Sequence, residues 1–220
     1  MSQYLHQLLK NLKLHQNPYL MATTTTTPIT SLAQLDPEGV YTYADYLTWQ
    51  FQERVELIRG RLFPMSPAPN NLHQRILGNL HVPFWSFFQG QQCQVFLAPF
   101  DVRLPVSVKK GQSTTVVQPD ISIICDPSKL DVQGCDGAPD LVVEILSPGN
   151  SKREMREKYQ VYEESGVREY WLVYPLDREV RVYVLNTAGK FIGLAPVIED
   201  DVLQSSIFPN LKIDLKQVFA

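Results

Sequence analysis

At 220 residues, 44% of them hydrophobic and 20% charged, the chain is sized for one well-cored domain and has an ordinary globular composition. A net charge of -3 and a pI near 5.8 exclude a broadly basic surface that coats nucleic acid, though not a locally basic groove or a bound cation. No apolar stretch reaches the roughly 18 residues that span a bilayer.

The three cysteines, Cys93, Cys125 and Cys135, have no CxxC spacing. Neither a disulfide framework nor a structural zinc site is expected, and the cytoplasm is the default compartment. Residues 1–20 carry Leu5, Leu8, Leu9 and Leu12 at helical spacing, without the apolar core and cleavage site of a signal peptide. Met21 opens a polar, threonine-rich stretch, so 1–20 reads as an upstream extension and 1–40 as a disordered or loosely structured leader. A single domain is expected over 41–220.

Order is expected to begin near Tyr41. The aromatics of "YTYADYLTWQ" predict a short helix, and "ERVELIRGRLF" alternates around Gly60 as a hairpin. "PMSPAPNN" reads as a loop. From Leu72 to about Phe88, apolar residues recur at three and four, which predicts a helix kinked by Pro83. "CQVFLAPFDVRLPV", "TVVQPDISIIC" and "PDLVVEILS" then read as three strands. "SKREMREKYQVYEESG" is a helix with a Ser151/Glu154 capping box and Gly166 at its left-handed end. "REYWLVYP", "REVRVYVL" and a last short strand in "LNTAGKFI" complete an α/β (α+β mixed) fold, a central mixed sheet flanked by helices.

Glu144 lies inside an apolar strand and shares a face with Val142 and Leu146. Burying an unpaired carboxylate costs several kcal/mol, so a partner is required. One candidate is a structural ion pair with Arg or Lys. The other is a hard cation shared with Asp120, which stands at the mouth of the preceding strand, because magnesium takes oxygen ligands. In the following helix Met155, Tyr159 and Tyr162 define the inward stripe, while Arg153, Arg156, Glu157 and Glu164 point away. Lys158, on the edge of that stripe, descends far enough to come level with Glu144, either as its counter-ion or to polarise a water or phosphate; Lys152 lies one turn too high. His73 is on an apolar stripe, as a core histidine or a substrate contact. Glu56 and, with a weaker case, Asp101 are further acids with apolar flanks. Asp140 reads as a hydrogen-bonding turn residue, and Asp126 and Asp136 as solvated.

The strings "RVELIRGRLFPMSPAPNNLHQRI", "QPDISII" and "GAPDLVVEILSPGNSKREMREKYQVYEESGVREYWLVYP" together resemble a bacterial restriction-endonuclease-like family, formerly of unknown function, within the PD-(D/E)XK phosphodiesterase superfamily. The resemblance runs from about Tyr41 to Leu215. It implies a restriction-endonuclease-like core and a Mg2+-dependent nuclease site, with Mn2+ as a substitute. Pro119 and Asp120 match the superfamily's proline-aspartate, and Glu144 its second acid. The superfamily's lysine two positions later is Leu146 here, and Lys158 occupies the matching place in the family. Glu56, His73 and Gln74 match family positions near the site, the latter two as substrate contacts.

The implied activity is hydrolysis of nucleic acid, DNA first, with Asp120 and Glu144 as metal ligands, Lys158 and Glu56 as catalytic partners, and a homodimer possible. The basic 105–115 loop is the candidate for sequence recognition. Leu146 and the negative net charge favour a rival, a non-catalytic module that binds nucleic acid or protein. A carboxylate-pair glycosidase fits poorly beside a lysine.

Overall fold

The computed structural model describes residues 28–65, 70–147 and 151–220. Residues 1–27, most of the expected 1–40 leader, 66–69, within the expected proline-rich loop, and 148–150 lie outside these. The described chain already carries a Ser31-capped turn at Leu32–Gln34, ahead of Tyr41, where order was expected to begin.

The first helix, α1 (Tyr43–Tyr46), starts because the Thr42 and Asp45 side chains each satisfy the other's backbone N–H. Strands β1 (Val55–Ile58) and β2 (Arg61–Pro64) form the hairpin read from the alternation. Its two-residue turn needs positive φ at both positions; Arg59 has φ 53° and Gly60 φ 77°. A Cβ on Gly60 would also meet Val40 at 2.6 Å. Helix α2 (Asn71–Phe88) begins where the Asn70 side chain accepts the His73 N–H at 2.9 Å, and it runs on through Pro83.

Two of the three expected strand runs break in two. The first gives β3 (Gln94–Leu97) and β4 (Val102–Arg103), separated by the prolyl segment at Pro99. The second gives β5 (Val116–Val117) and β6 (Ile121–Ile124), parted at Gln118–Pro119, since proline cannot donate to a ladder. Two short strands the periodicity missed, β7 (Leu130–Asp131) and β8 (Gly134–Asp136), precede β9 (Leu141–Ile145). Helix α3 (Lys152–Ser165) is capped by the Ser151 hydroxyl and closed by Gly166 at φ 86°. Then come β10 (Glu169–Tyr174), β11 (Glu179–Leu185), β12 (Phe191–Gly193) and β13 (Val197–Ile198). The last strand expected is β12; beyond it, β13, β14 (Val202–Gln204), β15 (Lys212–Asp214) and α4 (Leu215–Val218) are additions.

The central sheet runs β12-β11-β10-β9-β6-β3, with β13 also on β11. It is mixed: β9 and β10 are parallel, joined by the α3 crossover, and the other pairings are antiparallel. A second sheet runs β2-β1-β5-β4-β8-β7. On one face of the central sheet Ile76, Leu80 and Phe84 of α2 pack against Ile121, Val143 and Trp171, together with the C-terminal β14–β15 unit. On the other, Val161 and Tyr162 of α3 join Val142 and Tyr170 to Ile58, Val102 and Val117 of the second sheet.

Two expectations need correction. Cys93 and Cys125 are joined by a disulfide, because the register Gln94↔Ile124 sets them across from one another at the end of the β3–β6 pair. The inward stripe of α3 is centred on Lys158, Val161 and Tyr162, with Met155 and Tyr159 only half-buried. Glu157 and Glu164, expected to point away, face Arg59 in the β1–β2 turn.

Candidate active site

Each acid is delivered by a strand end. The register Ile121↔Val143 continues one step to set Asp120, just before β6, across from Glu144 on β9. Asp120 Oδ2 accepts the Ile145 N–H at 2.7 Å and lies 3.2 Å from His73 Nε2, which tethers it toward α2. His73 is buried, and its Nδ1 has no hydrogen-bond partner among the described residues.

Glu144 turns the other way, toward α3. Its Oε1 accepts from Lys158 Nζ at 3.0 Å and from the Tyr162 hydroxyl at 2.6 Å. The same ammonium lies 2.9 Å from Glu56 Oε1 on β1, and that oxygen also accepts the Gln118 N–H at 2.7 Å. The descent along α3 does bring Lys158 level with the strand acid. Burial pushes the Glu144 carboxyl up to about 7; Lys158 and the Tyr162 hydrogen bond oppose this, and the nearby Asp120 and Glu56 charges add to it. For Lys158 the pull of Glu144 and Glu56 outweighs the opposing burial and holds it well above the ordinary lysine value, so the ammonium is kept. Burial and the facing Glu144 hold the Tyr162 phenol well above its usual range, making it a neutral donor.

Asp120, Glu144, Lys158, Glu56 and His73 are therefore brought to one corner of the sheet. Gln74 is not: it is on the exposed side of α2. Lys152 is exposed at the start of α3. Asp101 belongs to a neighbouring cluster, accepting from Gln118 Nε2 at 2.8 Å. Asp140 is the hydrogen-bonding residue expected, accepting the Cys125 N–H and pairing with Arg168. Two contributors were not singled out as site residues. Tyr162 was read only as part of the inward stripe, where its place four residues beyond Lys158 was the available signal. Gln118 acts through its backbone N–H, which residue type does not reveal.

The donor set can be weighed for a cation. Asp120 and Glu144 each have one oxygen anchored, and Asp120 Oδ1 and Glu144 Oε2 take no hydrogen bond among the described residues. The corner brings three carboxyl groups to one ammonium, an excess of acid that a divalent ion would offset. No group of three or more His, Cys, Asp or Glu placed to hold an ion occurs among the described residues. Two carboxylates suit an ion such as Mg2+, which keeps several waters and takes substrate oxygens for the rest. A recess of about 10 Å3 between Leu146, Met155 and Lys158, the size of one water, opens beside Glu144, and Asp120 does not line it.

A mixed sheet flanked by helices, with acids entering from adjacent strand ends, defines a mixed α/β protein with a paired-acid corner. The chain belongs to the Uma2 family, whose model, described as "Putative restriction endonuclease", matches residues 43–216. It is similar to "Uncharacterized protein slr1290" of Synechocystis, 26% identical over 191 residues that cover 86% of this chain and 94% of that protein. The fold is shared with a solved chain from Anabaena variabilis, titled "a putative nuclease belonging to DUF820". The TM-score is 0.63 at 20% identity, covering 81% of this chain and 97% of that one. Among the described residues no helix is long and apolar enough to cross a membrane.

Proposed function

We propose that the chain is a divalent-cation-dependent phosphodiesterase that hydrolyses nucleic acid, DNA in the first instance. The observation that carries this reading is the opposed pair Asp120 and Glu144, each anchored through one oxygen, with the Lys158 ammonium held at Glu144. The family's description points the same way. Asp120 and Glu144 would hold Mg2+ or Mn2+. Bound there, such an ion supplies Lewis-acid polarisation of a phosphate and a more acidic water.

The chain's own residues divide the remaining work. Lys158 keeps its proton, so it orients a water or phosphate and offsets developing negative charge rather than acting as a base. Two of its N–H donors are engaged by Glu144 and Glu56, which leaves one for substrate. Glu56 positions that ammonium. His73 steadies Asp120 from α2 through Nε2, while its Nδ1 is buried. Gln74, on the exposed side of α2 and away from the acids, would meet substrate only if a bound strand extended over that helix. The reading takes a homodimer where both strands of a duplex are cut, and the Cys93–Cys125 bridge removes the ground on which the cytoplasm was expected.

The test is cleavage of supercoiled, linear and single-stranded DNA with Mg2+ or Mn2+. Asp120→Ala and Glu144→Ala are each expected to lose cleavage by at least about a thousandfold while the circular dichroism spectrum stays native. Retained cleavage in either variant refutes the assignment.

Two observations favour the rival of a non-catalytic module. Leu146 stands where the superfamily has its lysine, and Glu56, Lys158 and Glu144 already form a mutually satisfied ion triad. Under that rival no divalent ion supports cleavage by the wild-type chain.

A further inference from the structure

Next to the acids, a cavity of about 440 Å3 opens between Tyr46, Pro99, Phe100, Asp101, Gln118 and the turn around Gln133. Two links tie it to the site. Gln118 and Asp120 flank Pro119, and the Ala98 N–H donates to the Asp120 carbonyl at 3.2 Å. Gln118 also faces both ways: its backbone N–H holds Glu56, while its amide donates to Asp101 and, at 3.3 Å, to the Tyr46 hydroxyl.

The lining has a definite chemistry. Phe100 stacks on Phe96 with ring centroids 4.3 Å apart. Tyr46 stands in an aromatic row, stacked on Tyr43 and edge-on to Trp49, which stacks in turn on Phe51. Of the pocket's two acids, Asp131 is paired with Arg103, while Asp101 remains as a carboxylate that repels phosphate and accepts N–H groups. Arg54 does not line the pocket but, exposed beside it, donates to the side-chain oxygen of the lining residue Gln118 at 2.6 Å through Nη2, and has no ion pair with a carboxylate among the described residues. Ring faces beside acceptors, with a guanidinium at the edge, match a nucleobase with its own phosphate. A base offers its face only when it is unstacked.

We infer that this cavity binds an unstacked nucleobase of the substrate strand, on Phe100 and Tyr46 with its N–H groups toward Asp101, while Arg54 takes the adjoining phosphate. This rests on the nuclease reading and adds to it a preference for single-stranded or frayed nucleic acid.

The test is equilibrium binding of the full chain in EDTA, where no cation-dependent cleavage intervenes. Quenching of Trp49 fluorescence by a single-stranded DNA 12-mer is compared with quenching by the same sequence as duplex. The single strand is expected to bind at least about tenfold more tightly. Arg54→Ala, Phe100→Leu and Asp101→Asn should each lose about tenfold, with Tm near wild type. Trp49→Phe should lose the signal. Equal affinity for the two forms, or wild-type affinity in all three variants, overturns the inference. Binding of this kind without cleavage under any divalent ion sinks the nuclease reading and leaves this site standing. Cleavage with unchanged KM in the three variants does the reverse.

Discussion

Lys158 and Tyr162 both donate to one oxygen of Glu144, and that shared acceptor decides what each substitution does. Lys158→Met keeps the bulk but leaves Glu56 and Glu144 buried without their cation. A loss of about 3–5 kcal/mol in urea unfolding is expected, partly recovered by adding Glu56→Gln. Additive losses in the double variant would show that the three groups do not act as a triad. The Glu144 proton gives a pH signature in the metal-free chain. Its carboxyl titrates at about 7 when folded, against an ordinary value of 4.5. Between those limits the folded chain keeps a proton that the unfolded chain has released. The contribution of Glu144 to stability is therefore largest below pH 4.5, falls as pH rises through 7, and is level above it. The stability difference between wild type and Glu144→Gln should follow that curve; a flat difference from pH 5 to 8 contradicts it. Here the sequence was informative, since an acid within an apolar strand demands a partner and helix pitch chose Lys158. The Gln118 backbone donor was invisible for want of any side-chain signal.

At the scale of elements, a second acid shows what a local pattern leaves out. Glu169 in "REYWLVYP" is as deeply buried as any residue of the core. Its carboxylate accepts from Trp171 Nε1, the Ser205 hydroxyl and the N–H groups of Ser206 and Ile207. Those last donors sit between β14 and β15, more than thirty residues downstream, so Glu169 fastens the C-terminal unit to β10. Nothing in "EYWLV" distinguishes it from "VVEIL", because the distinction lies in long-range donors. Glu169→Gln should cost about 2–4 kcal/mol in thermal or urea unfolding and leave any response to divalent ions intact. A lost ion response with normal stability would reverse the roles given to Glu169 and Glu144. The same limit explains β7, β8, β14 and β15, two- and three-residue strands too short to show a period, and the Cys93–Cys125 bridge, which needs the β3–β6 register. By contrast the hairpin at Gly60, helix α2 and the capped helix α3 follow from local chemistry. Gly166→Ala, forced to φ 86°, should cost about 1 kcal/mol by urea unfolding, and an unchanged midpoint would remove the cap from the account.

For the molecule as a whole, a net charge of -3 concentrates attention on where positive charge enters. Three carboxyl groups meet one ammonium at the corner of the central sheet, and a divalent ion bound there, as proposed, would offset the remainder. The whole-chain pattern made the fold class and family legible, because "QPD", "VVEIL" and "SKREMREKYQ" keep their order and spacing. Whether the corner holds an ion is a property of assembled geometry. The most direct measurement is the melting temperature of wild type and Glu144→Gln titrated with Mg2+ and with Mn2+ at pH 8. An ion bound only by the folded state should raise the wild-type Tm by about 5–10 °C at a hundredfold excess over its Kd, and leave Glu144→Gln unmoved. Equal shifts in both proteins, or none in either, would contradict a divalent-ion site at Asp120 and Glu144.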